Sequence, residues 1–542
     1  MEFLSTLILA VLITSLTTPV LKRLALRYNL VDIPNERKVH SQPIPRVGGV
    51  AMALGAFVPL IFWGHDNSFI LAYLSGAAVL VVFGLVDDLR DISPKWKLLG
   101  QSIAAAVVIS RGDVQIITLG SLVPEEIIIP AWILITVTMV VIVGVTNAIN
   151  LSDGLDGLAG GISLLSIATI GFLAWQEGDM AIGLIAVALC GAIFGFLRFN
   201  TFPASIFMGD TGSQLLGFTA ITLALSLTQG DTPLSPALPL LVLGFPILDT
   251  LTVMTSRIAH GRSPFSADKG HFHHSPMARG LHQTESVVVI YVIQVTLILL
   301  AYYFRFYSDL LLLGGYLVFS ALVVTLFSVS KRREWDPKHS KPLIMFLDFR
   351  WLLRSWLPSV KYLFQGLRLF YPAVLVLIFS VSGRTQGDVA LLALMFLLLL
   401  VVFNYFLSHR FEFLLQSLIY LTVPYGVYLS ERWIAGQAPI VARGYDVLFV
   451  LLVLLSFLVS KMTQRQSGFK STPLDFLIFF LAAVPLLPIT DATDFRIGLV
   501  AAKVIILYYG CEVLLPELRG KYGVLTGGVA AAMVIVAVRW VI

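Results

Sequence analysis

Runs of about twenty apolar residues, repeated along most of the chain, limit what it can fold into more than any other feature. A bilayer offers no water to satisfy the backbone, so such runs must form helices that bond within themselves. Candidate spans lie near residues 3–21, 47–63, 69–86, 97–110, 127–146, 155–175, 180–197, 214–228, 236–256, 287–304 and 310–330. Further runs follow near 369–382, 388–408, 411–430, 444–460, 475–490, 497–515 and 522–542. The expected fold class is all-α, a polytopic helical membrane protein with 11 spans in a first block and about seven more in a second. Composition agrees, because 57% of residues are hydrophobic and 13% charged, whereas about a quarter are charged in soluble domains. The bilayer is thus one partner, and no nucleic acid is expected. Cys190 and Cys511 fall inside apolar runs, which points to packing rather than to a disulfide or thiolate metal site. The amino-terminal MEFLSTLILAVLITSLTTPVLKR lacks the basic start and small-residue cleavage site of a secretory signal, and reads as the first span.

The connections alternate in basic content. The first holds Lys22, Arg23, Arg27, Arg37, Lys38 and Arg46, the third Arg90, Lys95 and Lys97, and the ninth Arg257, Arg262, Lys269 and Arg279. Arg198 lies in the seventh, and the segment after the eleventh span opens with KRR at Lys331. The connections GHDNS, QEGD and TQGDTPLS hold no lysine or arginine. The positive-inside rule then places the odd connections in the cytoplasm and the amino terminus outside. The expected domains are a membrane core over 1–330, a basic, aromatic interfacial linker over 331–368 and a second membrane module over 369–542. The runs of that module carry no interpretable cluster of acids.

Four polar clusters fall at expected cytoplasmic ends: GLVDDLRD, NAINLSDGLDG, FMGDTGS and HGRSPFSADKGHFHH. In the first, Asp87 and Asp88 are adjacent, and Asp91 lies one helical turn beyond Asp87. Carboxylates that close repel, and a divalent cation or a cationic ligand would relieve them; the plainer alternative is a solvated helix end paired with Arg90 and Lys95. In the second, Asn147 with Asn150 and Asp153 with Asp156 recur at helical spacing, supplying the hard oxygens that Mg²⁺ prefers, and the glycines allow close backbone approach or a break in the helix. A helix cap at Ser152 or Asp153 would need one such residue, not four. Asp210 sits between glycines; a lone Gly-Asp pair is usually a turn, but beside the other clusters a metal-ligand role overtakes it. His271, His273 and His274, with Arg262 and Lys269, suit phosphate oxygens better than zinc, for which no further ligand pair has familiar spacing. An acidic Mg²⁺ site beside a basic loop, at one face of a helical bundle, is what phosphoryl transfer to a lipid needs. A divalent-cation or proton-coupled transporter is the competing class, but it would carry its acids near the bilayer midplane.

The order DDLRD, NAINLSDGLDGLAGG, FMGDTGSQLLG and HFHH, preceded by KVHSQPIPRVGG, resembles the polyprenyl-phosphate N-acetylhexosamine-1-phosphate transferases, glycosyltransferase family 4, over roughly residues 1–330. HFHH places it nearer the bacterial undecaprenyl-phosphate GlcNAc-1-phosphate branch. The resemblance implies undecaprenyl phosphate and a UDP-N-acetylhexosamine as substrates, UMP as the leaving group, and Mg²⁺, or Mn²⁺ in its place, as cofactor. It also implies the first step of an envelope glycan such as O-antigen, teichoic acid or capsule, in an inner membrane with the site facing the cytoplasm, in a homodimer. By motif it assigns Asn150 and Asp210 to the metal and Asp87 and Asp88 to activating the lipid phosphate or helping to hold the metal. Asp153 and Asp156 fall near the nucleotide, His271, His273 and His274 at the sugar diphosphate, and Lys38 or His40 toward the nucleotide. Asp88, Asn150 and Asp210 are expected to converge on one cation.

Overall fold

The structure, a computed structural model, describes residues 2–32, 43–124, 126–263, 272, 276–277, 281–332, 360–381, 387–406, 411–462, 477 and 497–540. These form two compact units, one drawn from residues up to 332 and the other from residue 360 onward.

The first unit opens with α1 (Glu2–Arg27), followed by a two-residue antiparallel ladder between β1 (Val31–Asp32) and β2 (Ile44–Pro45). Then come α2 (Gly48–Trp63), α3 (Ser68–Arg90), α4 (Pro94–Arg111), α5 (Ala131–Leu151), α6 (Leu158–Gln176), α7 (Met180–Asn200) and α8 (Gly209–Gln229). After α9 (Leu238–Val242) and α10 (Gly244–Ala259), the unit closes with α11 (Gln283–Phe304) and α12 (Asp309–Arg332). Leu16, Leu71, Val82, Val140 and Leu317 stand exposed on outer helices, as lipid-facing positions do.

α8 is the central post. It packs against α2, α3, α5 and α6, and every residue from Thr211 to Leu225 is buried. A helix screened from lipid on all sides can carry Ser213, Gln214 and Thr219 provided each finds a partner, and Thr219 Oγ1 lies 2.8 Å from the Tyr73 hydroxyl of α3. This explains why α8 is not among the helices whose own length and apolarity suit a membrane crossing. Among the described residues there are nine of those, seven of them in the first unit. The chain is a multi-pass, all-α membrane protein.

The run 236–256, expected as one continuous helix, is broken at Leu243 between α9 and α10. A break at this depth frees backbone groups that must be satisfied from elsewhere. Gln294 of α11 does most of it, donating from Nε2 to the Val242 carbonyl at 2.6 Å and accepting the Phe245 N–H at 3.1 Å. Ser166 Oγ and the Tyr316 hydroxyl donate to the carbonyls of Val242 and Gly244 at 2.7 and 3.0 Å. Replacing Gln294 by leucine should destabilise the protein by about 2 kcal/mol or more, since buried backbone groups lose their partner. A lowered melting temperature of the detergent-solubilised variant would register it, and an unchanged one would contradict it.

The second unit contains α13 (Val360–Val381), α14 (Gly387–Phe406), α15 (Phe411–Ile434), α16 (Pro439–Met462), α17 (Ile497–Leu518) and α18 (Gly523–Val538). The run 475–490 lies outside the described residues, Leu477 apart. Here the expectation of no interpretable acid cluster fails. Glu431 of α15 and Asp446 of α16 both pair with the buried Lys503 of α17, whose ammonium also lies 4.4 Å from the Tyr445 ring centroid. Their positions are spread over some seventy residues of chain, and only the packing of α15 and α16 on α17 brings them together.

Candidate active site

The end of α3, the start of α4, the end of α5 and the start of α8 meet at one end of the first unit. The α3–α8 approach depends on Gly84, where a Cβ would fall 2.5 Å from the Thr211 Cα. Gly49 likewise lets α2 reach α8, since a Cβ there would meet the Gly212 nitrogen at 2.2 Å. Around it the backbone interlocks: Phe207 donates to the Pro45 carbonyl at 2.8 Å, Gly48 to Phe207 at 2.9 Å and Gly49 to Met208 at 2.8 Å. The motif PRVGG therefore seats the start of α8.

The adjacent acids of α3 have separate tasks. Asp88 Oδ1 accepts the Asp210 N–H at 2.8 Å, while its Oδ2 accepts the Thr211 N–H at 3.1 Å and hydroxyl at 2.7 Å. A carboxylate at the end of its own helix meets an unfavourable dipole, but here it caps the amino terminus of α8, where negative charge is stabilised. Asp87 is buried and accepts the Ile92 N–H at 2.9 Å through Oδ1. Its Oδ2 lies 2.7 Å from Lys97 Nζ, and Asp210 Oδ2 lies 2.7 Å from the same ammonium. Asp87, not Asp88, is therefore the acid that meets the Asp210 carboxylate, and the cation between them is a lysine. Asp91 leaves this face: it takes a left-handed conformation beyond the helix and pairs with Arg46 at 3.6 Å.

In the sequence Lys97 counts only toward cytoplasmic charge, and Arg90 and Lys95 stand as the partners of the acids. A usable signal is nevertheless present. Lys97 and Gln101 stand four apart at the start of an apolar run, so both polar groups share one helix face. Gln101 in turn donates to the Gln214 Oε1 at 3.2 Å and accepts from Asn147 Nδ2 at 2.6 Å, and Gln214 donates to Asp210 Oδ2 at 3.3 Å. Three helices, α4, α5 and α8, are thus joined through one chain of side-chain hydrogen bonds, with Asp210 at its end.

Asn147 and Asn150 occupy the last turn of α5, as their spacing predicts, but Asp153 and Asp156 do not continue the helix, which ends at Leu151. They lie in the turn before α6. Ser213 Oγ donates to Asn150 Oδ1 at 2.8 Å, setting that carboxamide beside Asp210, whose carboxylate it hydrogen-bonds. Asp156 Oδ2 accepts the Ala204 N–H at 2.8 Å. Burial first, and then the carboxylates of Asp210, Asp156 and Asp88, push the Asp153 carboxyl up to about 7. An acid raised in this way costs the folded state nothing at low pH. Stability falls as pH rises from the unfolded value near 4 through 7, by on the order of 4 kcal/mol once the group is ionised. Asp153→Asn should therefore raise the melting temperature at pH 8 and leave it nearly unchanged at pH 4; an equal shift at both would refute the electrostatic cause.

The chemistry of the donors decides whether a divalent cation fits. Among the described residues no three carboxylate, histidine or cysteine side chains form a ready-made cage. Asp87, Asp210 and the Asn150 carboxamide instead bring hard oxygens close together, with Asp88 and Asp153 adding charge and one lysine opposing it. A cation that completes its shell with water and substrate phosphate fits such an incomplete, acid-rich set.

Of the other expected residues, Arg262 is exposed just past α10, its N–H donating to the Arg257 carbonyl at 2.9 Å. Lys38, His40, His271, His273 and His274 lie outside the described residues. Alongside α5 a cavity of about 430 Å³ opens among α5, α8, α9 and α10, lined almost wholly by apolar side chains including Val141, Val145, Ala148, Ile247 and Leu251. Ala148, near the end of α5, is its lining residue closest in sequence to the polar residues of that helix.

Residues 70–228 match the family model described as glycosyl transferase family 4. A probable undecaprenyl-phosphate N-acetylglucosaminyl 1-phosphate transferase of Bacillus subtilis is 38% identical over 289 residues, covering 53% of this chain and 80% of that protein. Undecaprenyl-phosphate alpha-N-acetylglucosaminyl 1-phosphate transferases of Yersinia pestis and Escherichia coli K12 are 33% and 34% identical over 277 and 280 residues. Each alignment covers 50% of this chain, and 76% and 75% of the respective relatives.

Proposed function

The chain belongs to glycosyl transferase family 4, and we propose that it transfers N-acetylglucosamine 1-phosphate, or a closely related N-acetylhexosamine 1-phosphate, from a UDP-sugar to undecaprenyl phosphate. An oxygen of the lipid phosphate forms a bond to the β-phosphorus of the UDP-sugar. The bond from that phosphorus to the bridging oxygen breaks, and UMP leaves with the electron pair. The observation that carries this reading is the meeting of Asp87, Asp210 and Lys97, beside Asn150, where the ends of α3, α4, α5 and α8 converge. A charged centre suits two phosphates, and the apolar cavity along α5 suits an isoprenoid chain.

Two anionic substrates repel until their oxygens are neutralised. Lys97, held by two carboxylates, supplies one positive charge on a rigid support. Asp87, Asp210 and Asn150 are the residues we assign to Mg²⁺, which when bound supplies further charge neutralisation of the phosphate oxygens. Asp88 acts through α8, whose first turn it holds in place and with it the Asp210 backbone. General-base help has little to add, since a phosphate monoester with a second pKa near 6 is largely ionised already. The excess of lysine and arginine in the odd connections supports a cytoplasmic site in the inner membrane, and initiation of an envelope glycan is the pathway step that fits the product.

The test is UMP release by the purified full chain from UDP-GlcNAc. Release that requires undecaprenyl phosphate and divalent cation supports the reading. Release independent of the lipid, or no release across a panel of UDP-N-acetylhexosamines, refutes it.

A further inference from the structure

The second residue of the HFHH motif is held from two directions. Phe272 is 7% exposed, and its backbone N–H donates to Asp249 Oδ1 of α10 at 2.8 Å. Its ring stands edge-on to Phe327 of α12 at 5.1 Å between centroids, and to Phe245 of α10 at 6.4 Å. Asp249 is itself 1% exposed, and a buried acid needs partners of this kind. The apolar ring fills the space between two helices while the carboxylate fixes the backbone, so neither contact alone sets the position.

We propose that Asp249 and Phe272 form a seat that positions the histidine loop for the sugar nucleotide, with Asp249 acting as a hydrogen-bond acceptor and not as a charge on substrate or metal. The proposal rests on the transferase reading for its kinetic consequence, but the seat itself can be measured without turnover. His271 and His273 each stand one residue from Phe272, and a Cα–Cα step is 3.8 Å, so pinning Phe272 confines the path of the motif. Without the seat, ordering of the loop is left to the substrate, and binding is weakened by that cost. An interaction lost equally from the bound and transition states raises KM and spares kcat.

Four variants of the full chain test this. Phe272→Ala and Asp249→Leu are expected to raise KM for UDP-GlcNAc roughly tenfold, with kcat and the KM for polyprenyl phosphate within about threefold of the parent. Phe272→Leu, which still fills the gap, and Asp249→Asn, which keeps an acceptor oxygen, should retain the parental KM. Hydrogen exchange read on peptides from residues 264–280 should rise in Phe272→Ala and Asp249→Leu and stay parental in the other two, whether or not the protein turns over any UDP-sugar. Equal losses in Asp249→Asn and Asp249→Leu would make the charge essential and overturn the proposal. So would unchanged exchange in Phe272→Ala. Faster exchange in Phe272→Ala, in a protein that releases no UMP, would uphold the seat and refute the transferase reading alone.

Discussion

Asp210→Ala is expected to lower UMP release by roughly a thousandfold or more while the protein still folds. The loss follows from position: the Asp210 carboxylate takes Lys97 and Gln214 and adjoins Asn150, so removing it frees the lysine from one of its two partners and takes away an oxygen assigned to the cation. The fold should survive because Asp88 grips the backbone of Asp210, not its side chain. Asp210→Asn should be nearly as inactive, since it keeps the shape and loses the charge. The measurement is initial rate in saturating Mg²⁺ and both substrates, with the melting temperature recorded in parallel. Turnover within tenfold of the parent would remove Asp210 from the centre.

The second large effect is expected at Gly209. Its φ of +68° is a left-handed conformation, and a Cβ there would lie 2.5 Å from both Asp88 carboxylate oxygens and 2.6 Å from the Arg46 carbonyl. Alanine must then distort the backbone or push Asp88 off the amino terminus of α8. Gly209→Ala should lose about 2 kcal/mol or more of stability and over a hundredfold in activity. Gly178→Ala is the matched control: its φ is +79° but nothing lies within 4 Å of the added Cβ. That variant should bear only the backbone strain, roughly 1 kcal/mol, and keep its activity. If the two behave alike, the crowding around Asp88 is not what Gly209 relieves.

The members of the centre are partly legible in the amino-acid sequence. Asp87, Asp88, Asn150, Asp153 and Asp210 come from three stretches of chain, and the structure gathers them at one end of the first unit. What stays hidden is how tasks divide among them. Adjacent aspartates look equivalent in a sequence, yet one points at a lysine and the other at a helix end, because consecutive helical side chains diverge by about 100°. Lys97 escapes notice because a basic residue at a cytoplasmic helix end has an ordinary topological explanation. Its cost at the amino terminus of α4, where the helix dipole disfavours a cation, becomes understandable only once two carboxylates from other helices are seen to hold it. The Asn-Asp pairs are more legible: their glycines allow a break in the helix, and α5 does stop at Leu151, leaving the second pair in the glycine-rich turn.

The order of residues alone is enough to settle the class of fold and the chemistry available. Hydrocarbon admits only backbones that bond internally, so long apolar runs imply helices whatever their order, and acids at helix ends stand out against them. Packing in three dimensions settles what depends on neighbours: that α8, one candidate span among many, is the buried post, that the run around Leu243 is broken and stitched by Gln294, and that Lys503 gathers Glu431 and Asp446. Each is a matter of which groups desolvate together. That is a property of contacts between distant segments, and periodicity along one segment does not carry it.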